Sequence, residues 1–263
     1  MVDFRLAINL HGTPCIINIT MLLISLLTVV CIITYTFEII FGLAGTIMML
    51  MVMTFFLDTK TLVVYSVVPQ ILVGSIGLMR SPKTVELRFL LKMLAFALLG
   101  VFVGTSLFYY FPPSLFHRLL AIAISIFGLY LVLVPNTPKL GNKLNITLDT
   151  LAGVSQALFG ISGPIAMTRL MSTFEDKTVI RNYALAFFLS LNVFRLFGYL
   201  THQTITHEIW QMMYLSAPFL AISLWYSNHI HFKVNDQLFR RVVAWIILFG
   251  GILMLARSLG FAL

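Results

Sequence analysis

The chain has 263 residues, of which 60% are hydrophobic and 10% are charged, and its mean hydropathy is +1.00. A soluble domain carries about a quarter charged residues, and one water-surrounded core cannot enclose so large an apolar fraction. The composition therefore excludes a soluble enzyme and indicates a polytopic membrane protein embedded in a lipid bilayer. The net charge of +8 comes from short clusters in loops, which do not form the basic stripe of a nucleic-acid-binding protein.

Apolar segments long enough to enter the bilayer follow one another along the chain, joined by short polar connections. Because no segment alternates with a period of two, only α-helices can satisfy the backbone in lipid, and we predict an all-α fold. The predicted segments are 16–57, 61–79, 89–110, 115–134, 148–174, 178–200, 210–228 and 238–256.

The two halves of the chain resemble each other when one is shifted by 118 residues. The shift pairs Gly42 with Gly160, Gly45 with Gly163, Asp58 with Asp176 and Tyr65 with Tyr183. We therefore predict a first repeat with an N-terminal arm over 1–134, a connecting loop at 135–147 and a second repeat over 148–263. Duplicated halves are a common plan for secondary transporters, which bind substrate where the repeats meet.

Each half opens with an apolar segment that glycines interrupt. In the second half the pieces 148–158 and 164–174 each correspond to about 16 Å of helix, against a hydrocarbon core of about 30 Å. They form either one broken crossing helix or a re-entrant hairpin. Two hairpins, each followed by three spans, place eleven loop Lys and Arg residues on one side and four on the other. This agrees with the positive-inside rule, inverts the halves relative to each other and places both termini outside the cytoplasm.

The first opening segment is long enough to cross the membrane completely. Counting it as a crossing, with only the second opening re-entrant, gives twelve basic residues against three. The charge distribution therefore supports the second hairpin better than the first.

The break in the second half reads Phe-Gly-Ile-Ser-Gly-Pro over 159–164. Proline is favoured at the first helical position, so we expect a helix N-terminus inside the membrane. The unpaired N–H groups and positive dipole of such a terminus suit an anion. We therefore predict Gly160, Ser162 and Gly163 as anion-binding residues.

The duplicated break in the first half adds Gly42, Gly45 and Thr46 to this prediction. Two helix ends that face each other can hold one anion near the midplane of the bilayer. The alternative is close helix packing through small residues, which is common between membrane helices.

Arg195 lies well inside its predicted span, where a charge costs several kcal/mol unless it meets a partner or a cavity. Asn192 shares its helix face at a spacing of three residues, and Gln70 follows a proline that is expected to interrupt its helix. We predict that Asn192 and Arg195 form a polar wall of the anion site and that Gln70 faces a cavity there. A structural ion pair between Arg195 and Glu38 is the alternative. Arg169, near the end of its segment, is expected to snorkel toward the following polar loop.

These features together resemble the TauE/SafE family of sulfite-exporter-like permeases. The resemblance extends over about 30–259 and rests on the glycine break at 159–164, the acidic-basic pair Asp176 and Lys177, and the stretches 191–196 and 238–241. It implies export or uptake of a small sulfur-containing anion, such as sulfite, thiosulfate or an organosulfonate, across a bacterial inner membrane. The residues themselves do not separate sulfite from a sulfonate or a carboxylate.

Two other functions stay open at this point. The residues from Gly160 to Gly163 match the Gly-x-Ser-Gly signature of intramembrane serine proteases, but no histidine is expected at a depth where it can activate Ser162. A structural membrane protein without a transport cycle is the other alternative. We expect a transporter and not an enzyme, with no metal and no bound cofactor; coupling to a proton or sodium gradient and the oligomeric state are left open.

Overall fold

The computed structural model describes residues 14–41, 44–79, 85–133, 140–227 and 236–259. These parts of the chain are helical and contain no strand, so the prediction of an all-α fold is confirmed. In chain order the helices are α1 (Pro14–Phe41), α2 (Gly45–Met53), α3 (Thr59–Tyr65), α4 (Val67–Leu78), α5 (Leu87–Tyr110), α6 (Pro113–Leu133), α7 (Asn142–Phe159), α8 (Gly163–Met171), α9 (Lys177–Thr201), α10 (His207–Ser227) and α11 (Asp236–Ser258).

Several helical segments have the length and composition of membrane spans. Within the described residues these are Met21–Ile40, Thr59–Leu78, Leu87–Tyr110, Pro113–Leu133 and Lys177–Thr201. Large apolar side chains such as Phe102, Phe197 and Ile222 are mostly exposed on the outside of the bundle. Such a surface is stable in lipid and not in water, so the chain is a multi-pass membrane protein.

Both halves contain a long arm, a break, a short helix and then a helix with an aspartate cap. The short helices α2 and α8 have nine residues each, about 14 Å, which is too short to cross the bilayer. Asp58 accepts a hydrogen bond from Thr61 N at 3.1 Å, and Asp176 accepts from Thr178 N at 2.7 Å. Positions that the 118-residue shift pairs therefore adopt the same local structure.

The chain reverses direction at both breaks. Asp149 on α7 and Arg169 on α8 would lie about 30 Å apart along a continuous helix, yet their Oδ1 and Nε atoms are 3.5 Å apart. In the first half Thr46 Oγ1 donates to Tyr35 Oη at 3.3 Å across the turn. Both openings are therefore helical hairpins with a half-length return helix.

The outgoing arm of the second hairpin is longer than the sequence predicted. Helix α7 begins at Asn142 and has 18 residues, so it includes the last part of the stretch 135–147 that was expected to be a loop. The expectation of an eleven-residue arm is wrong because polar residues form its first turns. Helix α1 has 28 residues, about 42 Å, enough to cross the hydrocarbon core before the chain turns back.

Helices α5 and α7, from different halves, make an unusually close contact. A Cβ atom built on Gly100 would lie 2.0 Å from Thr150 O, and one built on Gly104 would lie 2.9 Å from Ala157 Cβ. Only glycine permits this approach, and small residues are what hold helices together where lipid removes the hydrophobic driving force. The contacts follow the same residue order on both helices, so α5 and α7 are parallel.

The two opening arms enter the bundle from opposite ends. Helix α1 ends beside the start of α9, where Arg181 Nε donates to Ile39 O at 2.7 Å. The start of α5 lies at that same end, because the Phe89 and Tyr183 ring centroids are 5.2 Å apart, and α7 runs parallel to α5. These directions are those that an inverted repeat requires. Duplication itself and the placement of the termini relative to the cytoplasm stay predictions.

Candidate functional site

The two breaks meet around a small buried cavity of about 20 Å³, room for about one water molecule. Both hairpins contribute to its wall, together with α4 and α9. The lining residues are Glu38, Ala44, Thr46, Ile47, Gln70, Gln156, Gly160, Ile161, Ser162, Gly163 and Phe188.

The second break presents an uncapped helix start to this cavity. Gly160, at φ +73°, ends α7 in the left-handed conformation that glycine adopts without strain, and its N–H donates to Gln156 O at 2.9 Å. Helix α8 begins at Gly163 with Pro164 in its first turn, and no side chain in the described part of the chain caps it. Because Ser162 and Gly163 line the cavity, the positive end of α8 faces it.

The first break differs, because a side chain already occupies its helix start. Ala44 has a φ of +77° and is the N-cap of α2, while Gly42 lies outside the described residues. The Glu38 carboxyl accepts from Thr46 N at 3.0 Å, and Thr46 Oγ1 lies 3.5 Å from the same oxygen. A Cβ on Gly45 would lie 2.4 Å from Glu38 Oε2, so glycine is needed for this close approach.

Gln70 connects the first break to the second. Its Nε2 donates to Thr46 Oγ1 and, at 2.9 Å, to Gly160 O. Its Oε1 accepts from Gln156 Nε2 at 2.8 Å and from Arg195 Nη1 at 3.4 Å. The prediction that Gln70 faces a cavity agrees with this position, and the side chain uses both ends of its amide to join the hairpins.

Gln156 is the central residue of the site that sequence reasoning missed. Its Nε2 donates to Asn192 Oδ1 at 3.2 Å as well as to Gln70, and its Oε1 accepts from Ser162 Oγ at 2.7 Å. An amide inside an apolar segment gave no local signal. The 118-residue shift would have revealed it, because the shift aligns Gln156 with Glu38.

Arg195 lies directly behind the cavity wall and does not line the cavity. It is 3% exposed and donates to Asn192 Oδ1 at 2.7 Å and to Val63 O and Tyr199 Oη at 3.1 Å each. A Cβ on Gly160 would lie 3.2 Å from its Nη2 atom. The guanidinium is therefore packed against the back of the second break.

Arg195 and Glu38 do not form the direct ion pair that was the structural alternative. Within the described residues no carboxylate lies within 4.0 Å of the guanidinium. The two groups are connected indirectly, since Arg195 donates to Gln70, Gln70 to Thr46, and Thr46 lies against the Glu38 carboxyl. A buried cation and a buried acid thus stand at opposite ends of one hydrogen-bonded chain.

Arg169 is also buried, and the expectation that it snorkels is wrong. It is 7% exposed, pairs with Asp149 and lies 5.1 Å from the centre of the Phe89 ring. Its Nη1 donates to Thr173. The pair joins the two arms of the second hairpin, away from the cavity, so its role is to hold the hairpin closed.

Among the residues that the structure describes, Ser162 does not contact a general base. Its hydroxyl donates to the amide of Gln156, and an amide cannot take up the proton of a serine nucleophile. His117, His202 and His207 contact Thr59, Tyr109 and Gln211, respectively. Among the described residues no group of three or more His, Cys, Asp or Glu side chains is arranged to hold a metal ion.

A family model described as sulfite exporter TauE/SafE matches residues 27–254. The chain belongs to this family. The match begins within α1 and includes both breaks, both return helices and every residue of the cavity wall, and it confirms the resemblance inferred from the motifs. Membership places the protein among membrane transporters of anions. Neither a curated protein nor a solved structure matches the chain.

In this TauE/SafE protein the predicted site residues fall into two layers. The cavity wall contains Thr46, Gln70, Gly160, Ser162 and Gly163. Asn192 and Arg195 form the layer behind it, and Gly45 packs on Glu38. Glu38 and Gln156 complete the wall.

Proposed function

We propose that this protein is a permease that moves a small sulfur-containing oxyanion, such as sulfite, thiosulfate or an organosulfonate, across a bacterial inner membrane. The observation that carries the proposal is the start of α8, which is buried, has no side-chain cap and faces the cavity. Helix N-termini of this kind bind anions through their N–H groups and dipole. The Ser162 hydroxyl supplies a further donor once it turns from Gln156.

The charge of Arg195 supports an anion over a cation. A guanidinium keeps its charge when buried, and its nearest carboxyl in the chain of hydrogen bonds, Glu38, is two side chains away. Arg195 therefore contributes a positive potential behind Gly160, where the anion would lie. Its hydrogen bonds to Gln70 and Asn192 occupy an amide oxygen of each side chain.

The cavity is small in this conformation. Its volume of about 20 Å³ is enough for a water molecule and too small for a three-oxygen anion. Binding therefore requires that the wall move apart, and the apolar side chains of Ile47, Ile161 and Phe188 are the parts of the wall that no hydrogen bond fixes. We assign this state to a step of the transport cycle in which no anion is bound.

Transport into proteoliposomes tests the proposal. Vesicles that contain the purified protein are given radiolabelled sulfite, thiosulfate, methanesulfonate or acetate, and protein-free vesicles are the control. We expect saturable uptake of at least one sulfur oxyanion and weaker or no uptake of acetate. A folded protein that transports none of these anions would instead support the structural membrane protein.

A further inference from the structure

Glu38 and Gln156 occupy the same position on the two opening arms. Each lies four residues before the first glycine of its break, and each accepts a hydrogen bond from the start of its own return helix, Glu38 from Thr46 N and Gln156 from Ser162 Oγ. Their side chains have nearly the same shape. The difference is that an amide is neutral at every pH, whereas a carboxyl can gain or lose a proton.

The Glu38 carboxyl is enclosed by neutral donors. It is 4% exposed, and within the described residues no cationic group lies within 4.0 Å of it. Thr46 donates to it from its backbone N–H and from its hydroxyl, and that hydroxyl also reaches Tyr35 Oη. An ionised carboxylate in such surroundings depends on a few donors for its stability.

The charged and titratable groups around Glu38 come from several packed helices. On α1 itself Tyr35 is the nearest, with Cys31 one turn further, and Tyr65 on α3 contacts Cys31 at 3.6 Å. Helix α9 contributes two arginines. Arg195 is connected to Glu38 through Gln70 and Thr46, and Arg181 is bound to Ile39 O. Helices α2, α4 and α7 present the neutral residues Thr46, Gln70 and Gln156. Ser227 of α10 contacts Thr36 of α1 near Glu38. The titratable residues His207 and Glu208 are in the first turn of α10, at the other end of that helix.

We propose that Glu38 is the proton-binding group of the anion site, so that the transported anion and one proton bind together. The inference rests on the proposed function. Glu38 and Ser162 line the same small cavity, so an anion at the start of α8 lies within a few ångströms of the carboxyl. Two negative charges in one desolvated cavity repel each other. Anion binding and protonation of Glu38 are therefore mutually favourable, and linkage makes the effect reciprocal.

The proton comes from water and adds to a Glu38 oxygen, and no bond of the anion changes. Protonation turns Glu38 into a neutral group of the same size as Gln156, and Thr46 Oγ1 can then donate to Tyr35. When both hairpin starts are neutral, the anion faces the positive end of α8 with Arg195 behind it, and Glu38 no longer repels it. Release of the anion on the other side returns the proton to water, so the two move in the same direction.

Proton uptake on anion binding tests the inference in the purified full-length chain. Thiosulfate and methanesulfonate are the probes, because neither changes its own charge between about pH 5 and 8, so any proton taken up binds to the protein. We expect uptake of about one proton per anion bound in weakly buffered solution, and affinity that increases up to about tenfold per unit decrease in pH.

The variants follow from the duplicated positions. Glu38→Gln copies the residue that the fold already has at position 156, and we expect it to bind either probe with pH-independent affinity and without proton uptake. Gln156→Glu adds a second acid and should raise the uptake toward two protons. Glu86→Gln, at an exposed site before α5, is the control and should behave like the wild type.

The outcomes separate the two proposals. Wild-type protein that binds a probe without taking up protons would overturn this inference and leave the proposed function standing. Absence of binding at every pH would overturn both. If Glu38→Gln does not fold, it is replaced by Glu38→Asp, which retains the acid. Proton uptake by both Glu38→Asp and the wild type supports the inference, and absence of proton uptake by the wild type rejects it.

Discussion

Arg195 donates from Nη1 to the Oε1 atom of Gln70 at 3.4 Å, and this contact determines which end of the Gln70 amide faces Thr46. Because a guanidinium only donates, Gln70 must present its oxygen to Arg195 and its nitrogen to Thr46 and Gly160. The orientation of the wall is therefore set from behind by a residue that does not touch the cavity.

We expect Arg195→Lys to assemble but to bind anion at least tenfold more weakly. A lysine ammonium has three donors and no planar fork, so it cannot serve Asn192, Gln70, Val63 O and Tyr199 together, and each acceptor left unpaired costs about 1–3 kcal/mol. The neutral Arg195→Gln should abolish transport. Uptake and melting temperature measured side by side will show the effect, with the exposed Arg118→Lys as the matched control.

The structural alternative makes the opposite forecast for these variants. If Arg195 and Glu38 served only to stabilise the fold, Arg195→Gln and Glu38→Gln would lower the melting temperature equally and leave residual transport in the Arg195 variant. That pattern would contradict a role for Arg195 in anion recognition.

Ser162→Ala should weaken anion binding by about 5- to 15-fold, the loss of one hydrogen bond worth about 1–1.5 kcal/mol. The substitution also frees Gln156 Oε1, so a small decrease in melting temperature accompanies it. Ser106→Ala is the matched control, because its hydroxyl bonds to Phe102 O on the exposed face of α5. Equal affinities for Ser162→Ala and Ser106→Ala would remove Ser162 from the site.

The spans and the second helix start could be predicted from the sequence because they depend on local patterns. Hydropathy over about twenty residues identifies a membrane helix, and Ser162-Gly163-Pro164 carries its own helix-start signal. The shared face of Asn192 and Arg195 follows from their spacing. Each of these predictions needs only neighbouring residues.

The partners of Glu38 and Gln156 could not be predicted in the same way. Glu38 bonds to Thr46 because the hairpin folds back tightly at Gly45, and Arg195 turns to Gln70 because α4 packs between α1 and α9. Those distances depend on how whole helices pack, which local patterns do not encode. The same holds for Asp149, which lies close to Arg169 only because the chain reverses direction between α7 and α8.

The ion pair of the second hairpin should be replaceable by its first-half counterpart. The 118-residue shift aligns Asp149 with Cys31 and Arg169 with Met51, both buried and uncharged. Asp149→Cys or Arg169→Met alone leaves a buried charge unpaired and should cost about 3–5 kcal/mol. The double variant should recover most of that loss. Thermal unfolding of the three proteins measures it, and a double variant less stable than either single one would contradict this account.

Reporter fusions test the predicted topology. The segments that carry most Lys and Arg, including 80–92 and 229–241, are expected on the cytoplasmic side, which places both termini outside. A reporter that matures only outside the cytoplasm should therefore be active after Leu263 and inactive when it is inserted in 135–139. Cytoplasmic activity at Leu263 would invert the topology without affecting the helix packing.

The glycine contact between α5 and α7 limits how the protein can move. A second contact of this kind joins the halves elsewhere, because a Cβ on Gly128 of α6 would lie 2.5 Å from Leu248 Cα of α11. Rocking one half against the other would have to pull both backbone contacts apart, and in lipid nothing replaces them. These four helices therefore act as a fixed frame. The hairpin tips and α4 lie outside this frame, and we expect that opening of the cavity to either side moves them.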